Sequence, residues 1–261
     1  MLFFFVPFLY FYKTRLRSII KLISWGVIYL VPIFLSTFSF ANIDYYFISY
    51  FVVLTLTYNL YEIGYIQNDT ETIKKEHNPT LRLSRDELFF YNNHRVYIYF
   101  VRLFISFVLT IALAFFVYDK INAILVWSIL LIFFFYNHVR SRLNLAIHFL
   151  LVVFRFVFPV YVITSNVMLL FIMIFIFPVP NLIERTSEEK FGFLKLNKTI
   201  RPNISFFRVV YYFFLSLFMG IICIIYNNHN ELKTGFYISI FFFIYRLVIL
   251  FSNFLAREKN A

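Results

Sequence analysis

Two short stretches of the chain hold most of its acidic side chains, the residues best suited to bind a divalent cation. Eight of the 13 carboxylates lie there: Asp69, Glu71, Glu76, Asp86 and Glu87 in residues 67–96, and Glu184, Glu188 and Glu189 in residues 181–203. If a helix continues through the first stretch, Asp69, Thr72 and Glu76 are spaced i, i+3 and i+7 and share one face. Carboxylate oxygens suit Mg²⁺ that also carries substrate phosphates. We therefore predict that Asp69 and Glu76 bind Mg²⁺.

The second stretch offers a similar acidic face. Glu184 and Glu188 are spaced i, i+4, so their carboxylates share one face if the stretch is helical. We predict a second Mg²⁺ site there, with Asp69 and Glu188 as the catalytic residues of the two stretches. Lysines and arginines surround both stretches, and metal ions together with ion pairs bind phosphate or diphosphate esters. The alternative is a solvated surface with ordinary i, i+4 pairs such as Arg185 with Glu189.

The elements that must position these stretches are apolar segments long enough to cross a membrane. Of the 261 residues, 62% are hydrophobic and 40 are phenylalanine, far above the apolar share of a soluble domain. A helix of about 20 apolar residues spans the hydrocarbon layer of a bilayer. We predict an all-α, polytopic membrane helix bundle, a single transmembrane domain over residues 1–261. Its eight predicted spans are Leu22–Phe40, Tyr45–Ile66, Tyr97–Tyr118, Ile121–Tyr136, Leu145–Ile163, Val167–Asn181, Ile204–Tyr226 and Gly235–Ala256.

Basic residues alternate between the connecting segments, and this alternation predicts the topology. Eighteen Lys and Arg residues fall in the termini and in every second connection, whereas the intervening turns contain only Lys120 and Lys233. The positive-inside rule therefore places both termini and both acidic stretches in the cytoplasm. The net charge of +11 then reflects topology, and we expect a cell (inner) membrane protein with no nucleic-acid partner. Residues 1–18 are apolar before they are basic, the reverse of a signal peptide, so we expect a lead-in at the membrane surface.

Three sets of residues resemble the motifs of the UbiA-type superfamily of membrane prenyltransferases. The first motif, Gly-x-x-x-Asn-Asp-x-x-Asp-x-x-x-Asp, is matched by Gly64, Asn68, Asp69 and Glu76. The second, Asp-x-x-x-Asp-x-x-x-Gly, is matched by Glu184, Glu188 and Gly192. The family also has a tyrosine followed four residues later by a basic residue, which is similar to Tyr136 and Arg140. The chain departs from the family at Thr72, where the middle Asp of the first motif usually stands.

The resemblance implies a Mg²⁺-dependent transfer of a prenyl group from an isoprenoid diphosphate to an acceptor. The implied Mg²⁺ ligands are Asp69, Glu76, Glu184 and Glu188. The implied substrate-binding residues, which would contact the lipid phosphate or diphosphate, are Asn68, Tyr136, Arg140, Arg185, Lys190 and Lys195. Because cation-like charge develops on the transferred carbon, stabilisation of the departing diphosphate would be the largest catalytic effect.

Other functions are compatible with the same residues. The decaprenyl-phosphate phosphoribosyltransferases, a branch of this superfamily, transfer a phosphoribosyl group to a polyprenyl phosphate, and Arg185 with Glu188 resembles their second motif. A phospholipid or polyprenyl-phosphate transporter would bind its substrate at the bilayer midplane through broken helices. The chain has only 5 Gly and 7 Pro, which disfavours that reading. Thr72 also leaves open a non-catalytic homologue.

Four arginines lie inside the predicted spans, where a charge is costly. Arg155 and Arg246 are near the middle of their helices, so we expect them to face a cavity or a partner. Arg102 and Arg208 lie about one turn inside the cytoplasmic boundary, and we expect their long side chains to extend to the surface. The histidines have no mutual metal-ligand spacing and are more often structural; His138, which borders the stretch from Tyr136 to Arg140, is the one to test.

Overall fold

A computed structural model of the chain describes residues 1–40, 44–75 and 80–258; at Lys75 and residues 255–258 it describes the backbone alone. Within these residues every regular element is helical. The chain divides into two compact units, Met1–Ser165 and Asn166–Ala261. By length and composition, seven helices of the described residues are able to cross a bilayer. The chain is therefore a multi-pass integral membrane protein.

Eight long helices account for most of the described residues. The first unit contains α1 (Ile19–Phe38), α2 (Tyr46–Thr70), α3 (Arg85–Phe116), α4 (Lys120–His138) and α5 (Leu143–Thr164). The second unit contains α6 (Val167–Thr186), α7 (Leu194–Ile225) and α8 (Asn230–Glu258). Each of the eight predicted spans overlaps one of these helices. Of the eight, α2 is the one outside the seven membrane-spanning candidates.

Helix α2 differs from the others because it forms the centre of its unit. It packs against α3, α4 and α5, and most of its residues are buried, including Asn59 and Glu62. These two polar side chains lower its average hydropathy, whereas the lipid-facing helices expose rows of phenylalanine. The side chains of α2 are thus suited to contacts within the protein rather than to contact with lipid.

Inside two helices, proline residues leave backbone carbonyls without their usual N–H donor, and tyrosine hydroxyls donate to these carbonyls instead. Pro159 in α5 has no N–H to donate to the carbonyl of Arg155. That carbonyl instead accepts a hydrogen bond from the Tyr29 hydroxyl at 2.6 Å. In α6 a second proline has the same effect, and the Tyr212 hydroxyl donates to the carbonyl of Ile176 at 2.8 Å. Inside a membrane each such exchange removes an otherwise costly unsatisfied group.

The segment before α1 folds back onto the first unit. Residues Leu2–Phe4, Leu9–Phe11 and Tyr12–Leu16 form short helical turns. Phe4 and Tyr10 are fully buried in a cluster with Ile66 of α2 and with Tyr91 and Ile98 of α3. The basic and apolar lead-in that the sequence predicts is therefore packed into the protein.

The connection between α2 and α3 is shorter than predicted, because α3 begins twelve residues before Tyr97. Ser84 accepts a hydrogen bond from the Glu87 backbone N–H at 3.3 Å, and the Glu87 carboxylate accepts from the Ser84 N–H at 2.9 Å. This reciprocal capping box starts the helix at Arg85. Most of the second half of the predicted loop 67–96 is therefore helical.

Candidate functional site

Asp69 lies on the last turn of α2 and is 1% exposed. Arg15 donates to both of its oxygens, at 2.8 Å and 3.0 Å, and Arg82 donates to Oδ1 at 3.1 Å. The Tyr10 hydroxyl donates to Oδ2 at 3.0 Å, and the Asn68 amide is 3.3 Å from Oδ1. One buried carboxylate thus holds two guanidinium groups, so the cluster carries a net positive charge. Asn68, predicted to bind substrate, contacts Asp69 instead.

The Tyr10 hydroxyl stays protonated in this cluster. Burial, and next the negative charge of Asp69, raises the pKa of Tyr10 well above its ordinary value of 10. The shift favours the protonated hydroxyl, which donates to Asp69. This donor ties the segment before α1 to the end of α2.

The first predicted metal site does not have the geometry expected from the sequence. Helix α2 ends at Thr70, and Thr72 begins a separate short turn, Thr72–Lys75. The predicted i, i+3 face is therefore broken, and Glu76 lies outside the described residues. Where the structure describes the chain, no three His, Cys, Asp or Glu side chains come together. Both oxygens of Asp69 already accept from cationic donors, so the described residues of this stretch do not form a Mg²⁺ site.

A polar cavity of about 320 Å³ lies beside this cluster, between the end of α2 and the end of α4. Its lining includes Thr72 and the predicted substrate residue Arg140, together with four others: Gln67, Glu71, Asn137 and His138. The Asn137 amide donates to Gln67 Oε1 at 3.1 Å. The His138 ring nitrogen Nδ1 is 2.7 Å from the carbonyl of Phe134, and the His138 side chain lines the cavity. Amide, imidazole and guanidinium groups therefore line one small space.

An apolar groove of about 280 Å³ adjoins the polar cavity, and the two share Gln67 and Glu71. Its apolar lining comes from α2, α3 and α4: Ile63, Gly64, Tyr99, Leu103, Leu130, Phe133 and Phe134. Leu103 and Phe134 are exposed on the outer surface of the unit. The groove therefore opens toward the apolar surroundings, while its inner end meets the polar cavity.

Glu71 stands at the junction of the cavity and the groove. Its carboxylate accepts from the Tyr91 hydroxyl, and from the Tyr99 hydroxyl at 3.4 Å. Arg95 Nε is 3.2 Å from Glu71 Oε1 and also lines the groove. In the sequence, Glu71 is only one of the five acidic residues of the first stretch, residues 67–96. The structure makes it the acidic residue that both spaces share.

Gly64, the first residue of the predicted motif, is required by close packing. A Cβ at this position would lie 2.2 Å from the ring of Phe133, which is buried in α4. Because the Phe133 ring forms part of the groove wall, Gly64 sets the distance between α2 and α4 at the groove.

In the second unit the two predicted metal ligands point to different partners. Helix α6 ends at Thr186, and Glu188 has an extended backbone conformation, so the predicted i, i+4 face with Glu184 is not formed. Glu184 accepts from Arg208 Nε at 2.7 Å and from Nη2 at 2.6 Å. Gly192 adopts φ 75°, a left-handed conformation that favours glycine and ends the next short turn.

Glu188 is surrounded by cations. Lys190 Nζ lies 2.8 Å from Oε2, while Arg201 and Arg185 lie 3.3 Å and 3.8 Å from Oε1. Three positive groups thus share one carboxylate, and two of them, Arg185 and Lys190, are predicted substrate residues. Lys195 is exposed on the first turn of α7. This cluster also carries an excess of positive charge.

Tyr136, also predicted to bind substrate, lies in an aromatic row on α4 and α5. Its ring centroid is 5.9 Å from that of Phe133 and 5.9 Å from that of His148. Arg140, which follows Tyr136 by four residues, is exposed and lines the polar cavity. The structure thus places Tyr136 on the groove residue Phe133 and Arg140 in the adjoining cavity.

A buried ion pair that the sequence analysis missed links α2 to α3. Arg102 and Glu62 are both fully buried, with Arg102 Nη1 2.6 Å from Glu62 Oε2. Arg102 also donates to Asn59 and to the carbonyls of Phe3, Phe4 and Val6. The expectation that Arg102 extends to the surface is wrong. Glu62 and Arg102, both inside apolar segments, were the signal that these charges are paired.

Comparison with protein-family models, with curated proteins and with solved structures gave no match to this chain.

Proposed function

We propose that this chain is a membrane transferase of the UbiA type that acts on an isoprenoid phosphate or diphosphate lipid. The observation that carries this proposal is the polar cavity joined to the apolar groove in the first unit. Isoprenoid phosphates have the same two-part character, an apolar chain and an anionic head. Pockets that bind small ligands likewise combine apolar walls with a few convergent polar groups.

Charge and spacing support the orientation of the bound lipid. In the proposal the chain lies in the groove against Phe133 and Leu103, and the phosphate lies in the cavity near Arg140 and His138. A guanidinium forms strong, bidentate hydrogen bonds with phosphate oxygens. The alternation of basic residues supports placing this cavity and both chain termini on the cytoplasmic side.

The proposed reaction is prenyl transfer. The C–O bond between the prenyl carbon and the diphosphate breaks, the acceptor forms a bond to that carbon, and the acceptor loses a proton. Charge builds on the departing diphosphate, and fixed donors such as Arg140 stabilise it most effectively in a site from which water is excluded. Asp69 acts in this scheme by holding Arg15 and Arg82 in place.

A second reaction is favoured by the basic surroundings of Glu188. Transfer of a phosphoribosyl group, or a related sugar phosphate, to a polyprenyl phosphate involves two anionic substrates. Arg185, Lys190 and Arg201 around a single carboxylate suit such highly charged ligands. This reaction also releases diphosphate, so one assay can test both.

The test is diphosphate release by the purified full-length chain in detergent. One arm contains a prenyl diphosphate, and the other contains a polyprenyl phosphate with phosphoribosyl diphosphate, each with Mg²⁺ and with a chelator. We expect Arg140→Gln to lower kcat/KM by about 10-fold or more, because a charged hydrogen bond to phosphate is lost. Arg142→Gln is the matched control, since Arg142 is exposed and does not line the cavity. No release in either arm, or equal rates for Arg140→Gln and wild type, would overturn the proposal.

A further inference from the structure

Arg246 in α8 is a buried cation whose charge the described side chains do not neutralise. It is 9% exposed, and its Nε atom has no hydrogen-bond acceptor. Among the described side chains no carboxylate forms an ion pair with it. The ring of Tyr245 lies 5.5 Å from its guanidinium carbon, a weak contact for a full charge. This arrangement is unusual because an unpaired charge inside a membrane helix is costly.

The other interior arginines show how the chain normally satisfies such a group. Arg102 makes hydrogen bonds to five acceptors, one of them Glu62. Arg155, whose Nε also lacks an acceptor, donates from Nη1 to the Tyr65 hydroxyl at 3.3 Å and lies over the ring of Tyr61 at 4.9 Å. Among the described residues, neither a carboxylate nor a hydroxyl accepts a hydrogen bond from Arg246.

The charges nearest Arg246 do not compensate it. Arg208 and Arg246 lie one turn from Tyr212 and Phe242, whose rings stack at 4.9 Å across the antiparallel helices α7 and α8, so the two arginines are neighbours. Arg208 repels the Arg246 guanidinium and Glu184 attracts it. Both oxygens of Glu184, however, are already bonded to Arg208, at 2.7 Å and 2.6 Å. The three groups together carry one net positive charge. The hydroxyl of neighbouring Tyr212 donates to the carbonyl of Ile176, and among the described residues no hydrogen bond joins it to Arg246.

We propose that Arg246 and Arg208 form an anion site that binds the phosphate of a phosphate monoester, either a lipid headgroup or the free anion. Two guanidinium groups offer the paired donors that phosphate oxygens prefer. Glu184 holds the Arg208 head in a fixed orientation through two hydrogen bonds. The Arg208 side chain is 31% exposed, so an anion can reach the site past it. The inference concerns binding and is independent of the proposed transferase activity.

The test is thermal unfolding of the full-length chain in a phosphate-free, uncharged detergent. Unfolding is monitored through the intrinsic fluorescence of the 2 tryptophans and 20 tyrosines. Inorganic phosphate and micelles doped with phosphatidic acid are the two probes. At about ten times the dissociation constant, a ligand that binds only the folded state raises the midpoint by roughly 3–6 °C for a chain of this size. We expect this rise in wild type and its loss in Arg246→Gln.

Lys198→Gln is the control, because Lys198 is an exposed cation of the same unit. It should keep the wild-type rise, which separates the site from general attraction to a basic surface. A rise with phosphatidic acid alone identifies a lipid headgroup, and a rise with inorganic phosphate as well identifies the free anion. If wild type responds to neither probe, or if Arg246→Gln responds like wild type, the proposal fails.

A second measurement needs no ligand. Because Arg246 is uncompensated without an anion, Arg246→Gln should unfold at a midpoint equal to or higher than that of wild type in phosphate-free detergent. A fall of several degrees would mean that Arg246 already has a stabilising partner within the protein, and it would refute the inference.

Discussion

The buried pair of Arg102 and Glu62 makes a quantitative prediction about stability. Arg102→Met would leave the Glu62 carboxylate buried without a counter-charge, held only by the backbone N–H groups of Phe8 and Phe11. Three carbonyls of residues 3–6 would lose their donor at the same time. Removing one partner of a buried ion pair costs about 3–5 kcal/mol. For a chain of this length, that loss lowers the unfolding midpoint by roughly 10 °C.

Two measurements check this value. Thermal unfolding in detergent gives the midpoint of Arg102→Met, with Arg95→Met as the control on the same helix, since the Arg95 side chain is 57% exposed. Hydrogen exchange then reports on the backbone amides of Phe8 and Phe11, which the Glu62 carboxylate binds. We expect their protection to fall in Arg102→Met, because residues 1–16 lose the contacts that Arg102 makes.

The double variant Arg102→Met with Glu62→Gln completes a double-mutant cycle. If the pair acts as a unit, the double variant is less destabilised than the sum of the two single variants, by about 1–3 kcal/mol. Additive effects, or an Arg102→Met midpoint within about 2 °C of wild type, would show that the two charges do not depend on one another. Either result would refute the reasoning.

Two further substitutions test the walls of the candidate site. Gly64→Ala should cost about 1–3 kcal/mol of stability, because the added methyl group would overlap the Phe133 ring. Gly26→Ala is the control and should be neutral or mildly stabilising, because a Cβ at Gly26 has no neighbour within 4 Å. Equal unfolding midpoints for the two variants would contradict this prediction. Asp69→Asn should cost about 2–3 kcal/mol, because Arg15 and a second arginine lose their counter-charge. If Asp69 instead binds a metal, added Mg²⁺ will raise the midpoint of wild type and not that of Asp69→Asn, whereas we expect no effect on either.

The helices were largely predictable from the sequence, and their ends were not. Apolar runs identify the membrane segments because burial in lipid depends on composition averaged over many residues. The start of α3 depends instead on one local signal, the capping box of Ser84 and Glu87, which lies inside a stretch rich in charges. The end of α2 at Thr70 separates Asp69 from Thr72. A motif spaced for a continuous helix cannot reveal such a break.

The pairing of the candidate-site residues was not predictable from the sequence. Arg140, Thr72 and His138 line a cavity at the end of α2. That Asp69 would be held by Arg15, 54 residues away, depends on the folding of residues 1–16 against the end of α2. Spacing along a helix carries no information about such long-range partners. The predicted metal ligand Glu184 is paired with Arg208 for the same reason.

The salt bridge between α2 and α3 also has a consequence for how the protein enters the membrane. Glu62 and Arg102 are each unfavourable in a lipid-facing helix, by about 2.5–3.5 kcal/mol for a charge at the centre of an inserting segment. The cost falls if the two segments leave the translocation machinery together as a hairpin, with their charges already paired. Residues 1–16 are synthesised before Arg102 but can dock against it only afterwards, so this segment reaches its final place only once α2 and α3 have formed.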